Sequence, residues 1–268
     1  MSYPVMLGAI VLTSSNNRLR FKEGAGAVGN VDLAVGTYYL RGDGSPSDLM
    51  LEIKNKLDAF GVGGNDYTLS ITRSIDPTQP GQTLTITRAN GTATFQLVID
   101  GSQTFDMALI GFTASTANDA NPKTSTQSCA AAWVCNDVAR EIEPFSERVV
   151  AVPRAVSGRV QGVTRSARMQ SWRLGLAFVA EARTFVENAL AGAQDTLEGF
   201  MERFGAGASL ELHEAQVSAG TTLAAINTFA TLVDVVHFSE ETLSRFEPVR
   251  LGPGVPLYSI DLRLQAKV

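Results

Sequence analysis

Alternation with a period of two is the feature that most limits what this 268-residue chain can become. Tyr67, Leu69 and Ile71 alternate with Thr68, Ser70 and Thr72; Leu84 and Ile86 with Thr83, Thr85 and Thr87; Phe95, Leu97 and Ile99 with Thr94, Gln96 and Val98. Successive side chains of a strand point to opposite faces, so each run predicts a strand with one apolar and one mostly hydroxyl-bearing face. Pro77, Pro80 and Gly81 punctuate the first pair, and Ala89-Asn90-Gly91 is a hairpin signal for the second. The three runs together predict an antiparallel meander.

The period changes to that of a helix ahead of these strands. Leu49, Met50, Ile53, Leu57 and Phe60 recur at three- and four-residue spacing, with Glu52, Lys54, Lys56 and Asp58 mostly on the other side. Ser45 is the expected cap, Pro46 the first helical residue and Asp48 a negative charge in the first turn; Gly61 is the stop. Residues 32–40 read as a strand leading into the Arg41-Gly42-Asp43-Gly44 turn. Phe105 to Phe112 is a short apolar segment able to close one helical turn. Residues 113–128 are almost free of apolar side chains and predict a long exposed loop, as do the extended residues 13–31; both suit contact with another subunit.

The second half repeats the scheme. Val149 to Val152, Val156 to Val163, Met169 to Ala180, Ser209 to His213 and Leu257 to Leu264 read as strands, and Leu197, Phe200, Met201 and Phe204 make a helical stripe ended by Gly205. Residues 220–238 fit a helix in their first part and a strand in their second. A short helix from Ser239 toward Phe246, ended by Pro248, is expected. The fold class is therefore α+β and β-rich: two antiparallel β-sandwich or barrel-like units, each backed by an amphipathic helix. The expected division is 1–128, with its helix at about 46–60 and the loop 113–128, and 129–268, with its helix at about 194–204.

Charge and motifs narrow the functions. The net charge is −5, shared by the halves: 9 basic against 11 acidic residues in 1–128, leaving 13 against 16. No basic stripe is written, so sequence-specific nucleic-acid binding is not expected. No apolar run reaches membrane-spanning length, and the apolar opening, broken by Pro4 and Gly8, reads as a strand rather than a signal peptide; no membrane insertion and assembly in the cytoplasm follow. Cys129 and Cys135 are spaced to permit a disulfide, with buried thiols the favoured alternative.

Catalysis at neutral pH usually recruits histidine, a metal or paired carboxylates. His213 and His237 are 24 residues apart and lack partners at metal-ligand spacing. Gly24, Gly26 and Gly29 echo a dinucleotide fingerprint without the strand and long helix it needs, and read as a flexible loop. Arg41-Gly42-Asp43 reads as a turn before an adhesion tripeptide. Glu141, Glu143, Glu147, Asp195, Glu198 and Glu202 are the nearest thing to carboxylate clusters, and Glu198 and Glu202, one helical turn apart, fit a solvated helix face. No catalytic, cofactor-binding or metal-binding residue is assigned and no cofactor is expected. Arg154, Arg159, Arg165 and Arg168 surround Ser157, Gly158 and Gly162; they fit either a solvated hairpin or a subunit contact.

The run Thr37-Tyr38-Tyr39-Leu40-Arg41-Gly42-Asp43, the capped helix, the meander and Leu109-Ile110-Gly111-Phe112-Thr113 resemble tail-associated virion proteins of tailed bacteriophages over about 80 residues. Trp172-Arg173-Leu174 in a strand, followed by the helix near 194–204, resembles the unit of tail-tube and distal-tail (baseplate hub) proteins. The resemblance implies a ring-forming homo-oligomer, a hexamer, near the tube end or baseplate of a virion tail assembled in the bacterial host cytoplasm, with other tail or baseplate proteins as partners. It implies no catalytic residue. The competing expectation is a carbohydrate- or receptor-binding β-sandwich module of a fibre or adhesin.

Overall fold

The computed structural model describes residues 2–60, 67–74, 80–89, 94–134, 140–147, 150–151, 164–165, 169–180, 196–205, 208–216, 229–238, 246–249 and 257–266. In chain order the strands are β1 (Ser2–Gly8), β2 (Ile10–Leu12), β3 (Arg18–Glu23), β4 (Gly29–Asp32) and β5 (Gly36–Tyr38), followed by helix α1 (Leu49–Phe60). Then come β6 (Tyr67–Arg73), β7 (Gln82–Arg88), β8 (Phe95–Leu97), a 3-10 turn (Met107–Ile110), β9 (Lys123–Thr124), β10 (Ala132–Val134), β11 (Arg140–Glu147), β12 (Val150–Ala151), β13 (Thr164–Arg165) and β14 (Met169–Ala180). Helix α2 (Leu197–Arg203), β15 (Leu210–Gln216), β16 (Phe229–Phe238), β17 (Phe246–Val249) and β18 (Leu257–Ala266) complete the order. The described pairings are antiparallel apart from one isolated bridge, and the fold is α+β and β-rich, as the alternation predicted.

Helix α1 buries the predicted stripe, Leu49, Met50, Ile53 and Leu57, but starts three residues later than expected. Its cap is Asp48, buried, whose carboxylate accepts from Met50 N at 3.1 Å and from Gly44 N at 3.0 Å. Ser45 and Pro46 lie instead in a turn closed by Asp48 N donating to Ser45 O. A carboxylate can satisfy donors both inside and ahead of the helix, which explains why Asp48 displaces the serine.

The predicted meander is corrected at its third strand. β6 and β7 pair as expected, with Leu69 opposite Ile86 and Ile71 opposite Leu84. β8 pairs with β3, and β7 takes the short β9 as its other neighbour. The expectation of an extended 13–31 is also corrected: β3 and β4 form a hairpin there, closed around Gly24, whose φ of 55° needs a residue without a Cβ. The loop expected at 113–128 is irregular and mostly exposed, apart from the buried Lys123, Ser125 and Ser128. Its polar residues nevertheless take the place of a strand beside β8: Phe95 N donates to Asp119 O, Thr116 N to Leu97 O and Ile99 N to Ser115 Oγ. Buried backbone groups need partners, and hydroxyl and carbonyl oxygens from an irregular segment supply them without alternating apolar side chains.

The large sheet runs β10-β1-β15-β16-β18-β14-β11, with β17 also on β18. The sheet does not follow the expected division at 128/129, since β1 lies between β10 and β15. The apolar cluster is likewise continuous from Leu49 and Leu57 of α1 to Leu262 and Leu264 of β18. The two outermost strands are joined by the residues between Val134 and Arg140. Six peptide steps reach at most about 22 Å, whereas the ends of a flat seven-strand path lie about 29 Å apart at strand spacing. The sheet must therefore curl, which gives it the barrel-like character expected.

α2 packs on one face of this sheet. Thr196 caps it by accepting from Gly199 N at 3.2 Å, and Leu197, Phe200, Met201 and Phe204 are buried as predicted. Phe200 meets Phe238 edge-on at 6.3 Å, and a Cβ on Gly8 would overlap the Phe204 ring. The second part of the ambiguous 220–238 segment is strand β16; 220–228 and the expected helix over 239–245 lie outside the described residues. Pro248, expected to end that helix, lies within β17.

Candidate functional site

Three features gather polar chemistry, and each begins with a departure from the alternating pattern. In β15 the apolar Leu210 and Leu212 face the main core, which leaves Glu211 and His213 on the opposite face beside Val5 and Leu7 of β1. Tyr39 from the first half packs on that second face, in the smaller apolar cluster. Arg41 then reaches Glu211, 170 positions away: Nε donates to Oε2 at 2.8 Å and Nη2 to Oε1. His213 Nε2 lies 2.9 Å from Glu211 Oε2, and the Glu211 side chain is 1% exposed. A forked guanidinium matched to both carboxylate oxygens fixes orientation as well as charge.

Burial alone would push the Glu211 carboxyl up, but hydrogen bonds from His213 and Arg41, together with their charge, hold it below its ordinary range. Arg41 is shifted upward in return, mainly by its hydrogen bond to Glu211. The network continues inward, because the buried Arg73 donates to the carbonyls of Arg41, at 3.0 Å, and Leu40, and to Gln82 Oε1. Burial pushes Arg73 down to about 9, so it still carries its charge at neutral pH. These groups join β6, β7 and the 36–41 segment to β15. Their oxygens and guanidinium groups hydrogen-bond one another across the strands, which is the chemistry of a clasp.

The second feature is a hairpin. β11 and β14 pair from Arg140 opposite Gly175 to Glu147 opposite Met169, and β12 and β13 pair Val150 with Arg165 and Ala151 with Thr164. The two ladders continue one antiparallel register with a one-residue offset. β18 accompanies β14 only as far as Ser171 opposite Gln265. Beyond that point the described residues of the ladder form two strands. Arg165 lies in this ladder; Arg154, Arg159 and Arg168 lie outside the described residues, as does Cys135, while Cys129 is a buried thiol.

The third feature is a groove of about 280 Å³ lined by Phe112, Ser115, Thr116, Asp119, Lys123 and Thr124, among others. Its polar groups are largely engaged: Lys123 is buried against Asp119 and lies 4.8 Å over the Phe95 ring, and the Thr124 hydroxyl meets that of Thr85 at 2.9 Å. Among the described residues there is no cluster of three or more metal-ligating side chains, and no helix is long and apolar enough to cross a membrane. No family model, curated protein or solved structure matches the chain.

The sequence pointed to the arginine run but missed the clasp. Arg41 explained itself as part of a turn, and the long-range partner was invisible. The available signal was the charged Glu211 and His213 alternating with Leu210 and Leu212, since a strand buried on both faces has no solvent for a carboxylate.

Proposed function

We propose that this protein is a non-enzymatic structural subunit of a phage virion, a ring-forming tail component near the tube end or baseplate. The observation that supports this is the position of β11, which ends the described path of the large sheet: an edge strand can lie beside a neighbouring subunit. The resemblance of Thr37 to Asp43 and of Trp172 to Leu174 to tail proteins supplies the setting. A hexamer is the expected stoichiometry, with other tail or baseplate proteins at the ring faces. Arg154, Arg159, Arg165 and Arg168 are the proposed subunit-contact residues. The curled sheet and its clasp give the ring a stiff body from which to present them.

A carbohydrate-binding module would present aromatic platforms for sugar rings. The described aromatic side chains are buried or half-buried, and the exposed large apolar side chains among the described residues are Val11, Val35 and Leu232. Electron microscopy of the purified protein tests the proposal. Closed rings of identical subunits are expected; monomers at every concentration, in the presence and absence of virion components, would overturn it.

A further inference from the structure

We infer that a second copy of this chain pairs with the free edge of β6, antiparallel and about a two-fold axis at Ser70. β6 and β7 hold one uniform register from Tyr67 opposite Arg88 to Arg73 opposite Gln82, and β7 alone among the described strands lies beside β6. The ladder also fixes which groups of β6 face outward. Ser74 N donates to Gly81 O directly opposite it, so every second residue back from there, Thr72, Ser70 and Thr68, directs its N–H and C=O at β7. Leu69 and Ile71 turn theirs the other way, and no described residue accepts from or donates to them there. The same phase appears on β7, where Leu84, opposite Ile71, bonds away from β6: its N–H donates to Ser125 Oγ at 3.0 Å and its C=O accepts from Ser125 N. Tyr67 N, also outward, donates to Asp58 Oδ1 of α1 at 2.7 Å, which leaves Thr68 to Thr72 as the open stretch.

This edge lacks the protection that other described edges carry. β11 has a register shift between Arg140 and Glu143, a proline at 144 that lacks an N–H, and three glutamates. β10 is three residues long and buried, and β4 is four residues long with Asp32 paired to Arg18. Thr68-Leu69-Ser70-Ile71-Thr72 has no charge, no proline and no bulge, within a strand of seven residues. Bulges, proline, charge and short length are the devices that stop a sheet edge from recruiting another, and an edge without any of them is a template for pairing.

The pattern commits the edge to a copy of itself. In a two-fold antiparallel pair centred on Ser70, Leu69 stands opposite Ile71 of the second copy and Ile71 opposite its Leu69, each pair exchanging both N–H···O=C bonds. Ser70 then meets Ser70 of the second copy at the closer, non-hydrogen-bonded position, and Thr68 meets Thr72. Apolar side chains face apolar ones on the half-buried side, and hydroxyls face hydroxyls on the exposed side. The neighbouring registers are worse. A centre at Leu69 needs Tyr67 N, which Asp58 holds, and a centre at Ile71 sets the buried Arg73 opposite Leu69. Such a contact is isologous and separate from the head-to-tail contact of a ring, so where rings form it joins two of them face to face.

Cysteine trapping of the full chain, in a Cys135→Ser background and with Cys129 buried, tests this. A strand pair of this length buries less than the roughly 1,200 Å² of a stable interface, so a covalent trap is the suitable readout. Facing Cα atoms at a non-hydrogen-bonded antiparallel position lie about 4.5 Å apart, within disulfide reach. Under mild oxidation Ser70→Cys is expected to crosslink to itself about tenfold or more faster than Thr68→Cys or Thr72→Cys does alone. A mixture of Thr68→Cys and Thr72→Cys chains is expected to crosslink as fast as Ser70→Cys. All three side chains are exposed, so the variants should keep the wild-type circular-dichroism spectrum and melting temperature. Equal rates in the three single variants, or no crosslink in any of them, overturn the inference. Protection of the Leu69 and Ile71 amides from hydrogen exchange that appears only when virion components are added assigns the edge to a strand of another protein and also overturns it. Rings formed without the Ser70→Cys crosslink overturn the inference and leave the ring-forming role standing, whereas crosslinked pairs that never enter rings do the reverse.

Discussion

The segment 95–126 and the hairpin 140–175 both contain strands at the edge of a sheet, and they resolve the edge in opposite ways. β8 is paired on one side by β3, and its other side is met by Ser115, Thr116 and Asp119 of its own chain. The arm built from β11 to β14 leaves its sheet without a comparable cover among the described residues. An edge satisfied internally is part of a closed body, whereas an edge strand with a proline and three glutamates is guarded against indiscriminate strand pairing.

The contrast breaks most severely at Gly111. Its φ is 80°, and a Cβ there would lie 2.5 Å from the carbonyl oxygen of Gln127. Gly111→Ala is expected to destabilise the protein by about 3 kcal/mol in urea unfolding, because left-handed strain and backbone overlap act together. It strikes the junction between the 3-10 turn and the segment covering β8.

Next in size is the clasp. Glu211→Gln removes the charge that pairs Arg41, and losing one partner of a buried pair is expected to cost about 3 kcal/mol or somewhat less, given the partial exposure of Arg41. The same group predicts an acid limb. Its folded carboxyl titrates below the unfolded value, so its stabilisation is complete above the ordinary glutamate range and is lost as pH falls through the folded pKa. Melting temperature measured against pH should therefore fall less steeply in acid for Glu211→Gln than for wild type.

A smaller effect sharpens the packing of α2 on β1. Gly8→Ala forces the Phe204 ring aside and should cost about 1–3 kcal/mol. In a Phe204→Ala background the same change should cost less than half as much, and a double-mutant cycle in urea measures the coupling. Smallest of all, Arg18→Ala should leave the midpoint of urea unfolding within measurement error of wild type, as expected for an exposed pair with Asp32.

Much of the fold was legible because periodicity reports burial directly. The stripe of α1, the strand Met169 to Ala180 and the apolar face of Phe200 and Phe204 all appear where spacing placed them. Pairing was not legible. Nothing local tells β8 to join β3 and not β7, or β1 to enter a sheet whose other strands mostly come from the second half, since both choices depend on which apolar faces meet after collapse. The polar segment 113–126 was legible as an exposed loop but not as the partner of β8, because hydroxyl-rich sequence fits both solvent and the edge of a sheet. The clasp stayed hidden because an arginine and a glutamate 170 positions apart share no local pattern. The arginine run was visible from composition, and the structure places only Arg165 of it, in the β12–β13 ladder.

Hydrogen exchange compared between the unassembled and assembled chain tests the division between closed body and offered arm most directly. Assembly is expected to slow exchange along β11 and the part of β14 that pairs with it, while the amides of Phe95, Leu97, Ile99 and Thr116, already paired, keep their rates. Protection gained along 95–126 with none at 140–147 would contradict the account.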